Sequence, residues 1–172
     1  MAKFPNLRLR RLRRGDSIRS LTRETSLSVD DLICPIFVIH GQNVREEIGP
    51  MPGYSHLSLD QLPREINEIV NLGIRGVLLF GLPDHKDSQG SGAYASNGII
   101  QNAIRIAKKE APNLTVVTDV CLCEYTDHGH CGILDDNGVN NDQTLDLLSR
   151  TALSHGEVGA DIVAPSAMMD GQ

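Results

Sequence analysis

The densest run of potentially reactive side chains is Asp119-Val120-Cys121-Leu122-Cys123-Glu124-Tyr125-Thr126-Asp127-His128-Gly129-His130-Cys131-Gly132. It holds three of the four cysteines in the chain. Side chains on a strand alternate between faces, so a strand through this segment puts Asp119, Cys121 and Cys123 on one side. Gly129 and Gly132 loosen the loop that follows, which lets Cys131 fold back toward the other two thiols. Three converging thiolates suit Zn2+, with sulfur about 2.3 Å from the ion. Such a set keeps one coordination position for water or substrate, whereas His128 or His130 as a fourth ligand closes the site as a structural zinc. Ordinary thiols are the third reading that the spacing leaves open. Thiolate charge outweighs that of the dication in a three-cysteine site, so the ion is a milder Lewis acid than one held by neutral histidines. It still holds and polarises a substrate oxygen or nitrogen.

Such a cluster needs elements to position it. Four short runs, 32–39, 76–81, 114–122 and 161–165, are rich in β-branched residues and apolar on both faces, as buried strands of a parallel sheet are. Three helices are predicted between them. Ser58 with Gln61 reads as a capping box ahead of Leu59, Leu62, Ile66, Ile69 and Val70, with Gly73 as the stop. Asn97 is positioned to cap a helix bearing Ile100, Ala103, Ile104 and Ala107, ended by Pro112. Asn140 or Asn141 caps a third with Leu145, Leu148 and Ala152 inward.

Strand and helix alternation of this kind builds either an open doubly wound sheet or a (β/α)8 barrel. No glycine-rich phosphate fingerprint follows the first strand, which continues as His40-Gly41-Gln42-Asn43. The long loops, 81–97 and 123–141, instead follow C-terminal strand ends, where a barrel places its active site. The expected fold is therefore α/β, of the (β/α)8 TIM-barrel class, with the chain covering an N-terminal arm (1–30) and about the first four βα units (31–172). A complete barrel takes about 250 residues and four strands leave open edges, so the expectation is of a truncated barrel.

Composition narrows the class further. With 172 residues, 40% hydrophobic and 22% charged, the chain has the profile of a soluble globule. An aromatic share of 3% with no Trp leaves Leu, Ile, Val and Ala to build the core. Nothing approaches the roughly 20 apolar residues of a membrane span, and no signal-like segment opens the chain; a cytoplasmic protein without membrane partners is expected. The net charge of −6 is divided unevenly. Residues 1–23 carry eight basic residues against Asp16 alone, net +7, and the remainder is net −13. A basic arm on an acidic body can grip nucleic acid or another protein chain. Phe4 is the only aromatic residue among the arginines, which speaks against base stacking and for an acidic protein neighbour.

With these residues in view the chain resembles the porphobilinogen synthase (delta-aminolevulinic acid dehydratase) family, in its zinc-dependent branch and over the N-terminal half. The likeness runs through Arg8-Leu9-Arg10-Arg11-Leu12-Arg13, Asp31-Leu32-Ile33-Cys34-Pro35-Ile36-Phe37-Val38, Met51-Pro52-Gly53, Leu79-Phe80-Gly81 with His85-Lys86-Asp87, the cysteine segment, Ala164-Pro165-Ser166 and Met169-Asp170-Gly171. The resemblance implies a TIM-barrel lyase that condenses two molecules of 5-aminolevulinate to porphobilinogen, with loss of two waters, in tetrapyrrole (heme) biosynthesis. It implies zinc on Cys121, Cys123 and Cys131, Asp119 and Ser166 as substrate-side groups, and His130 at a possible second metal position. It further implies Mg2+ at an allosteric site outside these residues, and a homo-octamer in which the arm wraps a neighbouring subunit. The family's Schiff-base lysines fall on later strands. Lys3, Lys86, Lys108 and Lys109 do not match them, so these residues alone are expected to be inactive. The alternative is a zinc-stabilised, non-catalytic assembly or regulatory module with a basic subunit-binding arm.

The remaining candidates have plainer readings. Cys34 is expected in the core, His40 and His56 at the surface, and His155 packed on its helix. Asp135, Asp136 and Asp142 miss the spacing of a calcium loop and read as turn acids. Glu124 and Asp127 are expected beside the zinc or in solvent rather than in acid–base roles.

Overall fold

A computed structural model describes residues 3–172, which separate into two compact units, one ending at Asp31 and one spanning Leu32–Gln172. The first unit has a 3-10 turn at Arg11–Arg13 and a short helix, α1 (Asp16–Leu21), and buries none of its described residues. Leu9, Leu21 and Leu27 are at least 80% exposed there, among the arginines.

The second unit is built on strands β1 (Ile33–Ile39), β2 (Arg45–Glu47), β3 (Ser55–Ser58), β4 (Gly76–Leu82), β5 (Thr115–Val120) and β8 (Ile162–Pro165), ordered β2-β3-β1-β4-β5-β8. A small hairpin, β6 (Leu134–Asp135) with β7 (Gly138–Val139), stands apart. The helices are α2 (Leu62–Asn71), α3 (Ile99–Glu110) and α4 (Asn141–Glu157). All four runs expected as strands form parallel ones, and β1, β4, β5 and β8 lie side by side in chain order. Strands β2 and β3 were not expected. Their residues, Arg45-Glu46-Glu47 and Ser55-His56-Leu57-Ser58, lack the apolar run that marks a buried strand, and β2 is exposed throughout.

The order β3-β1-β4-β5-β8 on its own would fit a doubly wound sheet, with β3 to one side of β1 and β4 to the other. Two features separate it from that class. No helix connects β1 to β3, and the most deeply buried side chains of β1, β4 and β5 lie on one face of the sheet. Ile36, Val38, Val77, Leu79, Val116, Thr118 and Val120, which alternate along β1, β4 and β5, are all at most 2% exposed and pack against the helices. On the opposite face Pro35 pairs in register with Leu78, and Phe37 with Phe80. Those side chains are only half-buried, with the two phenyl rings stacked at 5.1 Å. A sheet clothed by helices on one side, with apolar side chains in layers on the other, has the two surfaces of a barrel wall.

Periodicity places the helices well and their caps less well. On α2, Leu62, Ile66 and Ile69 are buried, and Gly73 (φ +82°) takes the left-handed turn that ends the helix. The expected Ser58–Gln61 capping box does not form. Ser58 Oγ accepts from Val44 N–H at 2.8 Å and donates to Asp60 Oδ1 at 2.6 Å, so the hydroxyl is committed to the β3 turn. Helix α3 buries Ile99, Ile100, Ala103, Ile104 and Ala107, but its N-cap is Gly98, with no side-chain cap, and not Asn97. Asn140 does cap α4, its Oδ1 accepting from Gln143 N–H at 3.1 Å. The inward face of α4 is rotated slightly from the expected one. Leu147 and Leu148 are buried, while Leu145 and Ala152 are partly covered.

Candidate metal centre

Strand β5 stops at Val120, so only Asp119 of the expected strand trio lies in the sheet. Cys121 and Cys123 sit where the chain leaves it. A tight turn follows, in which Tyr125 and Thr126 donate their N–H groups to Leu122 O at 2.9 and 2.8 Å. Strand alternation is therefore not what unites the two thiols; the turn is. It brings the sulfurs of Cys121 and Cys123 to 3.3 Å. Residues 124–130 then loop round and return Cys131, so that all three sulfurs lie within 4.8 Å of one another. Among the described residues this is the only such gathering of ligating side chains.

The donor set fits a thiophilic dication. Burial pushes the Cys121 thiol up, and burial together with Glu124, whose Oε2 accepts from Cys123 Sγ at 3.1 Å, pushes Cys123 up strongly. Thiols crowded this way resist ionising beside one another. A bound cation reverses that balance, because it is the charge that thiolates need. Sulfurs on a tetrahedral zinc stand about 3.8 Å apart, close to the separations of the free thiols. His128 and His130 do not join the cluster. Their rings pack together at 5.6 Å, and His128 Nδ1 accepts from His130 N–H at 3.2 Å. His130 is exposed, so the three sulfurs alone form the group.

Beside the sulfurs, Ser166 on the loop after β8 donates Oγ–H to Asp119 Oδ1 at 2.6 Å. The adjacency of β5 and β8 brings the two groups together, since Asp119 is in register with Ala164, two residues before Ser166. Burial raises the Asp119 carboxyl and the Ser166 hydrogen bond partly offsets it. Tyr125 is buried with its phenol also raised by burial. Gly81 makes room for it, since a Cβ there would stand 2.7 Å from the Tyr125 hydroxyl.

Other singled-out residues take structural places. Cys34 is partly buried and packs on the core. His40 is exposed, 3.7 Å from Asp84, and His56 meets the Phe37 ring edge-on. His155 is 1% exposed, with Nδ1 3.0 Å from Thr118 Oγ1. Asp135 accepts from Asn137 N–H and Asn140 Nδ2 as a turn acid, and Asp127 is exposed. Lys3, Lys86 and Lys109 are exposed, and Lys108 Nζ bonds Asp161 at 2.9 Å. Sequence reasoning gave no role to Thr126, Thr144 or the backbone of Asp87, which hold the cysteine loop. Their only signal was position inside or opposite the cysteine motif.

Residues 6–172 match the family model for delta-aminolevulinic acid dehydratase. The chain belongs to the delta-aminolevulinic acid dehydratase family. A curated member from Halalkalibacterium halodurans is 56% identical over 164 residues, 95% of this chain and 50% of that one. Another, from Ruminiclostridium josui, is 50% identical over 96% of this chain and 80% of the relative. The crystal structure of delta-aminolevulinic acid dehydratase (porphobilinogen synthase) from Toxoplasma gondii ME49 in complex with the reaction product porphobilinogen superposes with a TM-score of 0.90. It is 34% identical and covers 96% of this chain and 48% of that one. The chain thus spans about half the length of the Halalkalibacterium and Methanothermus sociabilis relatives. Membership of the dehydratase family settles the architecture as the TIM-barrel class, here seen over its arm and first βα units.

Proposed function

We propose that the chain is the metal-bearing N-terminal part of a porphobilinogen synthase, a lyase of heme and porphyrin biosynthesis that condenses two molecules of 5-aminolevulinate with loss of two waters. The observation that carries this is the gathering of Cys121, Cys123 and Cys131 beside the Asp119–Ser166 pair, at the C-terminal end of β5, in a chain of this family. Zinc is the ion that best suits three cysteine sulfurs, and when bound it supplies the Lewis acidity that polarises a substrate oxygen or nitrogen. The chain's own residues do the rest. Cys121, Cys123 and Cys131 would hold the ion, and neither His128 nor His130 belongs to the cluster. Asp119, oriented by Ser166, offers a half-buried carboxylate to a substrate amine. Leu122 and Tyr125, on the same turn as Cys121 and Cys123, are both buried in the core.

The first unit of the chain supports an assembly role. Leucines exposed among arginines make a surface for another protein chain, and we read it as the subunit-binding arm of a homo-oligomer, an octamer in the full-length enzyme. Among the described residues no helix is long and apolar enough to cross a membrane.

The placement of the lysines favours a second reading for residues 1–172 by themselves, a zinc-stabilised assembly module without turnover. Lys3, Lys86 and Lys109 are exposed and Lys108 is paired with Asp161, so none of them has the buried setting that favours a Schiff-base amine. Elemental analysis and borohydride trapping test the metal centre and the account of the lysines separately. The expected result is about one zinc per chain, lost in Cys123→Ser, with no aminolevulinate adduct trapped. Absence of zinc would overturn the metal centre, and a trapped adduct would overturn the account of the lysines.

A further inference from the structure

Cys131 is the ligand furthest along the chain from its partners, and both of its flanks are tied down by buried threonines. On the N-terminal side Thr126, 1% exposed, donates Oγ1–H to His130 O at 2.8 Å, closing the loop one residue short of the cysteine. The backbone around Thr126 is itself pinned across a neighbouring strand end. Asp87 N–H donates to Tyr125 O at 3.3 Å, and Asp127 N–H donates to Asp87 O at 3.2 Å. The Asp87 side chain braces this contact by accepting from Gln89 N–H at 2.8 Å and from the Ser91 hydroxyl.

On the C-terminal side Thr144, fully buried in the first turn of α4, accepts from Ile133 N–H at 3.0 Å and donates to Asn140 O at 2.6 Å. Asn140 N–H donates back to Ile133 O at 2.8 Å. Between these ties Gly132 lies so close to α4 that a Cβ there would stand 2.8 Å from Thr144 Cγ2 and from Val139 Cγ1. His130 and Ile133, on either side of Cys131-Gly132, are therefore anchored to different elements of the scaffold.

We infer that Thr126 and Thr144 are positioning residues for metal binding, their hydroxyls holding the third sulfur in place before an ion arrives. The inference rests on the metal-centre reading above. Neither hydroxyl needs to touch the ion. A loop that had to be ordered at each binding event would lose affinity to conformational entropy, and one tied at both flanks does not. Groups that orient metal ligands change affinity by about 10–100-fold when removed. The two threonines also differ usefully. Thr126 serves the carbonyl of an exposed residue, whereas Thr144 serves the N–H of the partly buried Ile133 and also donates back to Asn140 O, so its loss disturbs two bonds at the start of α4. Thr126→Val is thus the cleaner probe.

The test is a Co2+ titration of the full chain, followed by thiolate-to-cobalt charge-transfer absorption and then by displacement with Zn2+, alongside thermal melts of the metal-free protein. Thr126→Val is expected to bind cobalt about 10–100-fold more weakly while its metal-free melt stays near that of the parent, and Thr126→Ser to recover most of the loss. Equal affinity in Thr126→Val and parent overturns this inference alone. A loss that tracks an equal fall in metal-free stability, without recovery in Thr126→Ser, overturns it too. A parent chain with no charge-transfer band overturns the metal centre itself and this inference with it.

Discussion

The wall formed by β1, β4 and β5 with α2 and α3 differs in kind from the cysteine loop that it carries. In the wall, order comes from many interchangeable apolar contacts: Ile66, Val77, Leu79, Ile104 and Val116 are all fully buried. No single hydrogen bond outside the ladders and helices is needed to explain it. In the loop, order comes from a short series of specific polar ties, such as Thr126 to His130 O and Thr144 to Ile133 N–H, surrounding three thiols that repel one another once ionised. The wall should therefore tolerate loss of the metal, and the loop's metal affinity should be sensitive to atoms that contribute little to stability. Apolar burial is non-directional and adds up over area, whereas coordination depends on placing a few atoms closely.

The largest blow to that contrast falls on the wall. Ile104→Ala removes a fully buried side chain from α3 and is expected to cost about 2–5 kcal/mol in a urea unfolding experiment. Cobalt affinity of the folded fraction should be unchanged. A large affinity change in this variant would show that wall and loop are not separable.

A titration sharpens the contrast next. His155 is buried against Thr118 on β5, and burial lowers its pKa to about 4 from an ordinary value of 6.5. A base with a depressed folded pKa contributes stability above its unfolded pKa and loses it as pH falls through the folded one. Stability should thus decline between about pH 6.5 and 4, by an amount on the order of 3 kcal/mol at most. Urea midpoints across that range, compared with those of His155→Asn, measure it. An unchanged slope in the variant would show that other groups govern the acid limb.

A smaller effect on stability than these two, and the most direct test of where the two regions meet, is expected of Gly132→Ala. Its methyl would crowd Thr144 and Val139, which costs about 1–3 kcal/mol by overpacking. Because Cys131 is the adjacent residue, metal affinity should fall as well. Melting curves with and without zinc separate the two components, and a variant with parental affinity would mean that the cysteine can follow its backbone.

How much of this could be read from the chain follows the same division. The strands of the wall were legible because Ile36 and Val38, Val77 and Leu79, or Val116 and Val120 announce burial through residue type alone. Helices were legible from their stripes. Caps were legible only where the polar side chain had no competing partner: Asn140 caps α4, but Ser58 is taken by Val44 and Asp60. Strands β2 and β3 escaped notice because β3 finds its place by pairing with β1, and pairing leaves no periodic mark in so short a polar segment.

For the candidate site, residue types and spacing were enough to nominate Cys121, Cys123 and Cys131, since thiol sulfur chemistry belongs to the side chains themselves, whereas Asp119 and Ser166 were nominated as substrate-side groups only by the family resemblance. The sequence also determined the family and the alternating plan of strands and helices. Only the tertiary structure decided that Cys123 faces Cys121 through a turn, that both histidines stay out of the cluster, and that threonines from the loop and from α4 hold Cys131 in reach. Those outcomes depend on how an irregular turn and loop are shaped between β5 and α4, which is fixed when the sheet and helices pack and leaves no periodic mark in the sequence.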